Sequence, residues 1–230
     1  MIGPVRILIV SSDSEISDTL AARLSFDEAF RVGTLRSGDE ALSLFDDDWA
    51  DVILLDEELP MIDGAELCRI MRSHDINVPV ILMSRLASDA NVILALEAGA
   101  NDYVSMPTQH LGVLLARIRV QLRQYVASEH AIFHFGPYLF RPAQRLLRNR
   151  NTGAQISLRG KECKILNVLC RAEEKVISSE QLYYEVWGHA IRLNTHTLAT
   201  HIYHLRSMIE TVPANPRFLL SKSGGYCITH

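Results

Sequence analysis

The chain has 230 residues, 48% of them apolar, and a formal net charge of −4. That total hides a division: residues 1–125 carry 10 basic against 20 acidic residues, and residues 126–230 carry 13 against 7. No apolar run approaches the ~20 residues of a membrane span, and Cys68, Cys163, Cys170 and Cys227 show neither CxxC spacing nor a disulfide framework. The opening Met1-Ile2-Gly3-Pro4-Val5-Arg6 has no signal-peptide layout. We therefore expect a cytoplasmic protein of two domains with buried thiols and no membrane contact, its basic half a candidate polyanion binder.

The first half alternates short apolar runs with helical periodicity. Arg6–Val10 reads as a buried strand, followed by a helix capped by Asp13 or Ser14 with Ile16, Leu20 and Leu24 on one face. A weaker strand near 31–35 precedes a helix after Gly38 that carries Ala41, Leu42 and Phe45. Strand 51–56, a helix with Leu67, Ile70 and Met71, strand 78–83, a helix with Val92, Ala95 and Leu96 ended by Gly99, and strand 103–105 come next. A long helix with Leu111, Leu114, Leu115, Ile118 and Leu122 closes the half. Five strand–helix units predict an α/β domain, a doubly wound five-stranded parallel sheet over residues 1–123. Ligand chemistry in such a sheet sits at the carboxyl ends of the strands. That brings Ser11, Ser12, Asp13, Asp56, Ser84 and Met106 into one neighbourhood.

Polar residues 124–131 read as a linker and 132–230 as an α+β domain. Residues 133–156 alternate and carry turn signals, which predicts a small antiparallel sheet. Helices are expected over about 161–171, 179–187 and 195–209, and a hairpin over 218–228. On the last helix Leu198, Ile202, Leu205 and Ile209 make the inward stripe. The opposite face carries His196, Thr200, Tyr203, His204 and Ser207, with Arg206 at its edge and His201 packed at the helix border. It is polar yet uncharged at its centre, unlike a generic Glu/Lys solvent face.

Asp56 at the end of its strand, followed by Glu57-Glu58-Leu59-Pro60-Met61-Ile62-Asp63-Gly64, resembles the phosphoacceptor of a bacterial receiver domain of the flavodoxin-like fold. The resemblance extends over 5–122 through Ser84, Gly99-Ala100-Asn101-Asp102-Tyr103 and Pro107. It implies that Asp56 is the phosphoacceptor position, Ser84 the switch hydroxyl and Tyr103 the switch aromatic. It also implies two acids for Mg²⁺ after the first strand and a lysine after the fifth. Here those positions read Ser11-Ser12 and Met106, and Arg85 stands where a small residue is usual. Phosphoryl transfer to a carboxylate gathers negative charge and needs cations placed in advance, and serine hydroxyls are poor Mg²⁺ ligands beside carboxylates. Asp13 reaches the metal position only if the loop shifts by one residue; otherwise it is a helix cap. We expect a degenerate receiver with no cofactor and no protein-held metal, and Asp56 as an ionised carboxylate near Arg85.

The second half resembles the winged-helix effector of the OmpR/PhoB response regulators across 132–229. Four motifs carry this: Leu158-Arg159-Gly160-Lys161-Glu162, Leu182-Tyr183-Tyr184-Glu185-Val186-Trp187-Gly188, Thr197–Arg206, and Gly225-Tyr226. The resemblance implies a recognition helix in the major groove of double-stranded DNA, read by Thr195, His196, Thr200, Tyr203 and His204 at promoter half-sites. His204 replaces a common base-reading arginine. Lys222 matches a wing arginine, and Arg206 and Arg192 are candidates for phosphate contacts. It further implies a homodimer through the fourth helix, fifth strand and fifth helix of the receiver, where Asp102 and Arg117 match cross-subunit charges. RNA polymerase would be contacted by the loop near 188–194. The expected function is a DNA-binding transcription regulator, not an enzyme, that works without ordinary Mg²⁺-dependent aspartyl phosphorylation and without need of a cognate histidine kinase. The alternatives are a conventional phosphorylated regulator with an unusual metal site, and a ligand- or protein-sensing receiver.

Overall fold

The structure, a computed structural model, describes residues 4–44, 50–86, 88–106, 110–188 and 195–229. Phe45, Pro107, Arg192 and most of the expected polymerase loop (189–194) lie outside the described residues, as does the side chain of Thr195. The chain divides into two compact units between Tyr125 and Val126.

The first unit runs β1 (Val5–Val10), α1 (Ser14–Leu24), β2 (Phe30–Leu35), α2 (Gly38–Leu44), β3 (Val52–Asp56), α3 (Gly64–Ser73), β4 (Val80–Ser84), α4 (Asp89–Glu97), β5 (Asp102–Ser105) and α5 (Leu111–Ala127). The strands form one parallel sheet in the order β2-β1-β3-β4-β5, the flavodoxin-like arrangement. β3 and β4 are buried along their whole length, as their unbroken Val/Ile/Leu runs require for a sheet covered on both faces. Two backbone positions demand glycine. Gly99 adopts φ +97° after α4. At Gly64 a Cβ would sit 2.4 Å from the Asp56 carbonyl oxygen, so the Asp63-Gly64 turn brings α3 directly under the acceptor strand. Asp63 caps that helix by accepting from Glu66 N–H at 2.7 Å.

α5 continues to Ala127, four residues into the segment expected as linker. The reason is visible at its end. Val126 packs on the second unit's core, and Arg171 donates to the carbonyls of Ala127 and Ser128 at 2.9 and 2.8 Å. Those contacts reward a helical turn that the polar sequence alone does not.

The second unit has a four-stranded antiparallel sheet, β6 (Phe133–Phe135), β7 (Tyr138–Arg141), β8 (Leu146–Asn149) and β9 (Gln155–Ser157), in sequential order. Then come α6 (Gly160–Arg171), β10 (Ile177–Ser178), α7 (Ser179–Trp187), α8 (Thr195–Ile209), β11 (Leu219–Lys222) and β12 (Gly225–Ile228). The expected terminal hairpin is part of a three-stranded sheet, β10-β12-β11. The two-residue β10 has no periodicity to reveal it. It can pair because Gly225 has no Cβ: one there would lie 2.1 Å from the Ile177 carbonyl oxygen. Glu210 secures this sheet from below, its buried carboxylate accepting from the N–H groups of Arg217, Phe218 and Leu219, each at 2.8 Å. All four cysteines are free and buried; burial raises the thiol pKa of Cys68, Cys163 and Cys170. No helix among the described residues is long and apolar enough to cross a membrane.

Candidate functional site

In the first unit the register places the carboxyl ends of β1, β3, β4 and β5 side by side: Val10 opposite Leu55, Asp56 opposite Met83, Ser84 opposite Ser105. Ser11, Asp56, Ser84 and Met106 are all buried there, and Ser12 is exposed. Asp56 is fully engaged. The Ser11 hydroxyl donates to its Oδ2 at 2.5 Å, and Glu58 N–H donates to its Oδ1 at 3.1 Å. Ser12 turns away and donates to the Glu58 carbonyl at 3.4 Å. Ser84 accepts from Leu86 N–H at 3.1 Å. Tyr103 lies inward, 9% exposed, and its hydroxyl donates to Glu57 Oε2 at 3.1 Å; burial holds that phenol above its usual range.

The expected pairing of Asp56 with Arg85 takes a different form. Arg85 bridges Asp13 Oδ2 at 3.0 Å and Glu58 Oε2 at 2.9 Å. The hydrogen bond to Glu58, then the charges of Glu58, Asp13 and Asp56, raise its pKa. Asp13 is the helix cap: its Oδ1 accepts from the N–H groups of Glu15 and Ile16 at 2.9 and 3.2 Å. Both oxygens of the one acid that a shifted loop could offer a metal are therefore taken. Oxygens of the kind Mg²⁺ prefers are partnered here: Asp56 by a hydroxyl, Asp13 by a guanidinium and a helix end. Among the described residues no cluster of three or more His, Cys, Asp or Glu is arranged to hold a metal.

Asp102 and Arg117, which match cross-subunit charges of the family, form an ion pair within this chain, with Nη1 at 2.8 Å from both carboxylate oxygens. They flank a shallow groove with Gly112, Val113, Ala116 and Val120. α4 and α5 leave Ile93, Leu94, Leu96 and Val113 about half exposed.

In the second unit α8 presents the expected two faces. Leu198, Ile202, Leu205 and Ile209 are buried, and His196, Thr200, Tyr203, His204 and Ser207 are exposed, Tyr203 by 63%. The hydroxyls of Thr200 and Ser207 donate back to the carbonyls of His196 and Tyr203, which leaves their lone pairs free to accept. His201 lies at the helix border beside the Trp187 ring. Lys222 is exposed at the end of β11, just before the Ser223-Gly224 turn at φ +41° and +80°. Arg206 is already committed to the wing: Nε donates to the Leu219 carbonyl at 3.0 Å and Nη2 to Ser221 Oγ at 2.9 Å. It ties the recognition helix to β11.

Two features escaped the sequence. A groove of about 610 Å³ is lined by Arg145, Arg159, Lys161, Lys164 and His201, among others, with no carboxylate. Lys161 there donates to the Val186 carbonyl at the end of α7 and lies over the Trp187 ring. The second is Glu162, 3% exposed, which accepts from Arg159 N–H through Oε2 at 3.1 Å. Its Oε1 faces Nδ1 of His204 at 3.7 Å and Nδ1 of His201 at 3.9 Å. The basic residues come from β8's leading turn and α6, so no local run of charge announces the groove.

A sheet end built around an acceptor-type aspartate, followed by a winged helix with a polar recognition face, defines a class: a receiver coupled to a DNA-binding output. Comparison with known proteins agrees. Residues 7–119 match the response regulator receiver domain, and 153–228 match the transcriptional regulatory protein C-terminal domain. The chain is 35% identical over 226 residues to the sensory transduction protein RegX3 of Mycolicibacterium smegmatis (96% of this chain, 97% of that one). It is 32% identical over 223 residues to the DNA-binding response regulator MtrA of the same organism (96% and 95%). The crystal structure of DrrB, a Thermotoga maritima OmpR/PhoB homologue, is 29% identical over 99% of this chain and 100% of that one, with a TM-score of 0.47. The chain belongs to the two-component response regulators with a DNA-binding output domain.

Proposed function

We propose that this regulator binds promoter half-sites through α8 and the wing, and that its receiver acts without ordinary Mg²⁺-dependent phosphorylation of Asp56. One observation carries the second part: both oxygens of Asp13 are engaged, by the α1 backbone and by Arg85, while Asp56 is held by the Ser11 hydroxyl. An acyl phosphate formed at Asp56 would meet carboxylates at Asp13, Glu57 and Glu58 with Met106 in place of a lysine. The Arg85 guanidinium, which feels Asp56, is paired with Asp13 and Glu58. A family kinase could dock on such a receiver, but its phosphoryl group is not the switch. Incubation with acetyl phosphate and Mg²⁺, followed by intact mass and DNA titration, should give no stoichiometric adduct and unchanged affinity. A full adduct at Asp56 would refute the proposal and establish the conventional reading, which the inward Tyr103 and the buried Ser84 favour.

We further propose a homodimer through α4, β5 and α5, which works in the unphosphorylated state. Ile93, Leu94, Leu96 and Val113 put exposed apolar side chains on that face, as an interaction surface does. Sedimentation at tens of micromolar, roughly the range of weak association, should show dimers that Leu94→Asp abolishes; monomeric wild type would refute it. The groove of Arg145, Arg159, Lys161 and Lys164 suits DNA phosphates flanking the major groove. Contact with RNA polymerase through residues near 188–194 belongs to the same proposal and is tested by reconstituted transcription with substitutions there.

A further inference from the structure

We infer that Glu162, which DNA cannot touch, sets the hydrogen-bonding sense of the base-reading His204 and is thereby a specificity-determining positioning residue. The inference rests on the proposed reading of bases by α8. Glu162 is 3% exposed, and its Oε2 is used by Arg159 N–H. Its Oε1 has two polar neighbours in α8: Nδ1 of His204 at 3.7 Å and Nδ1 of His201 at 3.9 Å. A lone pair on either nitrogen would face a buried carboxylate oxygen in a medium of low dielectric, which is repulsive; an N–H there is attractive. The carboxylate therefore keeps the proton on Nδ1 of His204. A neutral imidazole with Nδ1–H carries its lone pair on Nε2, at the opposite edge of a ring that is 47% exposed.

His201 satisfies the same rule. Its Nδ1 is buried with no hydrogen-bond partner, its ring lies 5.5 Å from the Trp187 ring, and Glu162 Oε1 faces that nitrogen at 3.9 Å. The groups facing this cluster from the other elements are Arg145, Arg159, Lys161 and Lys164, which line the groove with His201. The form with the proton on Nδ1 and the lone pair on Nε2 is the one presented to DNA. Such a histidine offers an acceptor to the major groove. It selects a base edge with an exocyclic amino donor, adenine N6 or cytosine N4, over the purely accepting edge of guanine.

Glu162→Gln reverses the sense. The amide oxygen can still accept from Arg159 N–H and keep the helix start. The amide NH₂ then faces the histidines as a donor and moves the His204 proton to Nε2. Selection of bound sequences from a random pool should show full-length wild type preferring adenine or cytosine at one position. Glu162→Gln should shift that position about tenfold toward guanine and leave the others alone, and it should be silent in a His204→Ala background. The tautomer itself is read without DNA by ¹⁵N NMR of histidine-labelled full-length protein, with His204 assigned by His204→Gln: unprotonated Nε2 in wild type, protonated Nε2 in Glu162→Gln. A protonated Nε2 in wild type, or an equal loss on all sequences in Glu162→Gln, overturns the inference. If His204→Ala leaves base preference intact, the proposed recognition role fails, and this inference with it. If His204→Ala shifts preference and Glu162→Gln does not, this inference alone fails.

Discussion

Each half of the chain buries a carboxylate at the place where its chemistry is expected, and the two are treated oppositely. Asp56 ends a strand among acids and accepts from a hydroxyl at 2.5 Å; the Arg85 guanidinium pairs with Asp13 and Glu58. Glu162 begins a helix beside a groove of four cations and keeps one oxygen turned toward two imidazoles. In the receiver the Arg85 guanidinium, which feels Asp56, is paired with Asp13 and Glu58. In the effector Arg145, Arg159, Lys161 and Lys164 line a groove together with His201, which Glu162 faces. The same fold positions survive in both halves, but only the effector retains charge complementary to a polyanion. A strand terminus or a helix start supplies geometry. The neighbouring charges decide whether that geometry does chemistry, recognition or neither.

The largest expected effect tests whether the effector's buried acids are all structural. Glu210→Ala leaves three backbone N–H groups under the wing without their acceptor. At about 1 kcal/mol or more for each orphaned donor, the effector should lose about 3 kcal/mol in urea unfolding, with the receiver transition unmoved. Glu162→Gln, which keeps its cap bond, should lose far less. Comparable losses for the two would erase the distinction drawn between a structural carboxylate and a recognition carboxylate.

Next comes Gly64→Ala in the receiver. The added Cβ would meet the Asp56 carbonyl at 2.4 Å and Leu82 Cδ2 at 2.7 Å. The backbone of β3 cannot yield cheaply, so we expect a loss of about 2 kcal/mol in the receiver transition, at the scale of an overpacked core. A neutral result would mean that the strand end is pliable enough to rearrange around a metal, which would weaken the contrast from the receiver side. Arg85→Ser addresses the same point by ligand binding. With Asp13 Oδ2 and Glu58 released, titration should detect Mg²⁺ binding at millimolar concentrations that wild type lacks. Equal Mg²⁺ affinity in both proteins would show that Arg85 does not hold the site shut.

The architecture was legible because strand and helix periods are strong in both halves. The apolar runs Ile7–Val10, Val52–Leu55 and Val80–Met83 announced a buried parallel sheet, and the 4-and-3 spacing of Leu198, Ile202, Leu205 and Ile209 fixed which face of α8 turns inward. Where packing overrides local preference, the sequence was silent. The last turn of α5 is helical because Val126 and Arg171 reward it, and β10 exists only because Gly225 admits its backbone. Site residues followed the same rule. Ser11, Asp56, Ser84 and Met106 converge because strand ends converge, which topology alone predicts. What Arg85 does was not readable, since its partners Asp13 and Glu58 lie 72 and 27 residues away. Glu162 read as a motif letter at a helix start; only the crossing of α6 and α8 turns it toward His204.

The smallest effects separate the two kinds of DNA contact. His204→Ala should cost about 1.5 kcal/mol at one base pair and little on random DNA, since a lost base contact penalises only the sequence it read. Lys222→Ala should instead weaken every sequence alike. Lys222 stands exposed at the tip of the wing, where a flexible ammonium can neutralise one phosphate. Removing it keeps one counterion on the DNA, so the plot of log affinity against log salt should flatten by about 0.9. Arg206→Ala differs again, because its guanidinium joins α8 to β11 through Leu219 and Ser221. It should lower the effector's melting temperature and loosen both kinds of contact together. If Lys222→Ala shifted base preference while its salt slope stayed at the wild-type value, the wing would be reading bases. The cationic side of the comparison would then be about sequence rather than charge.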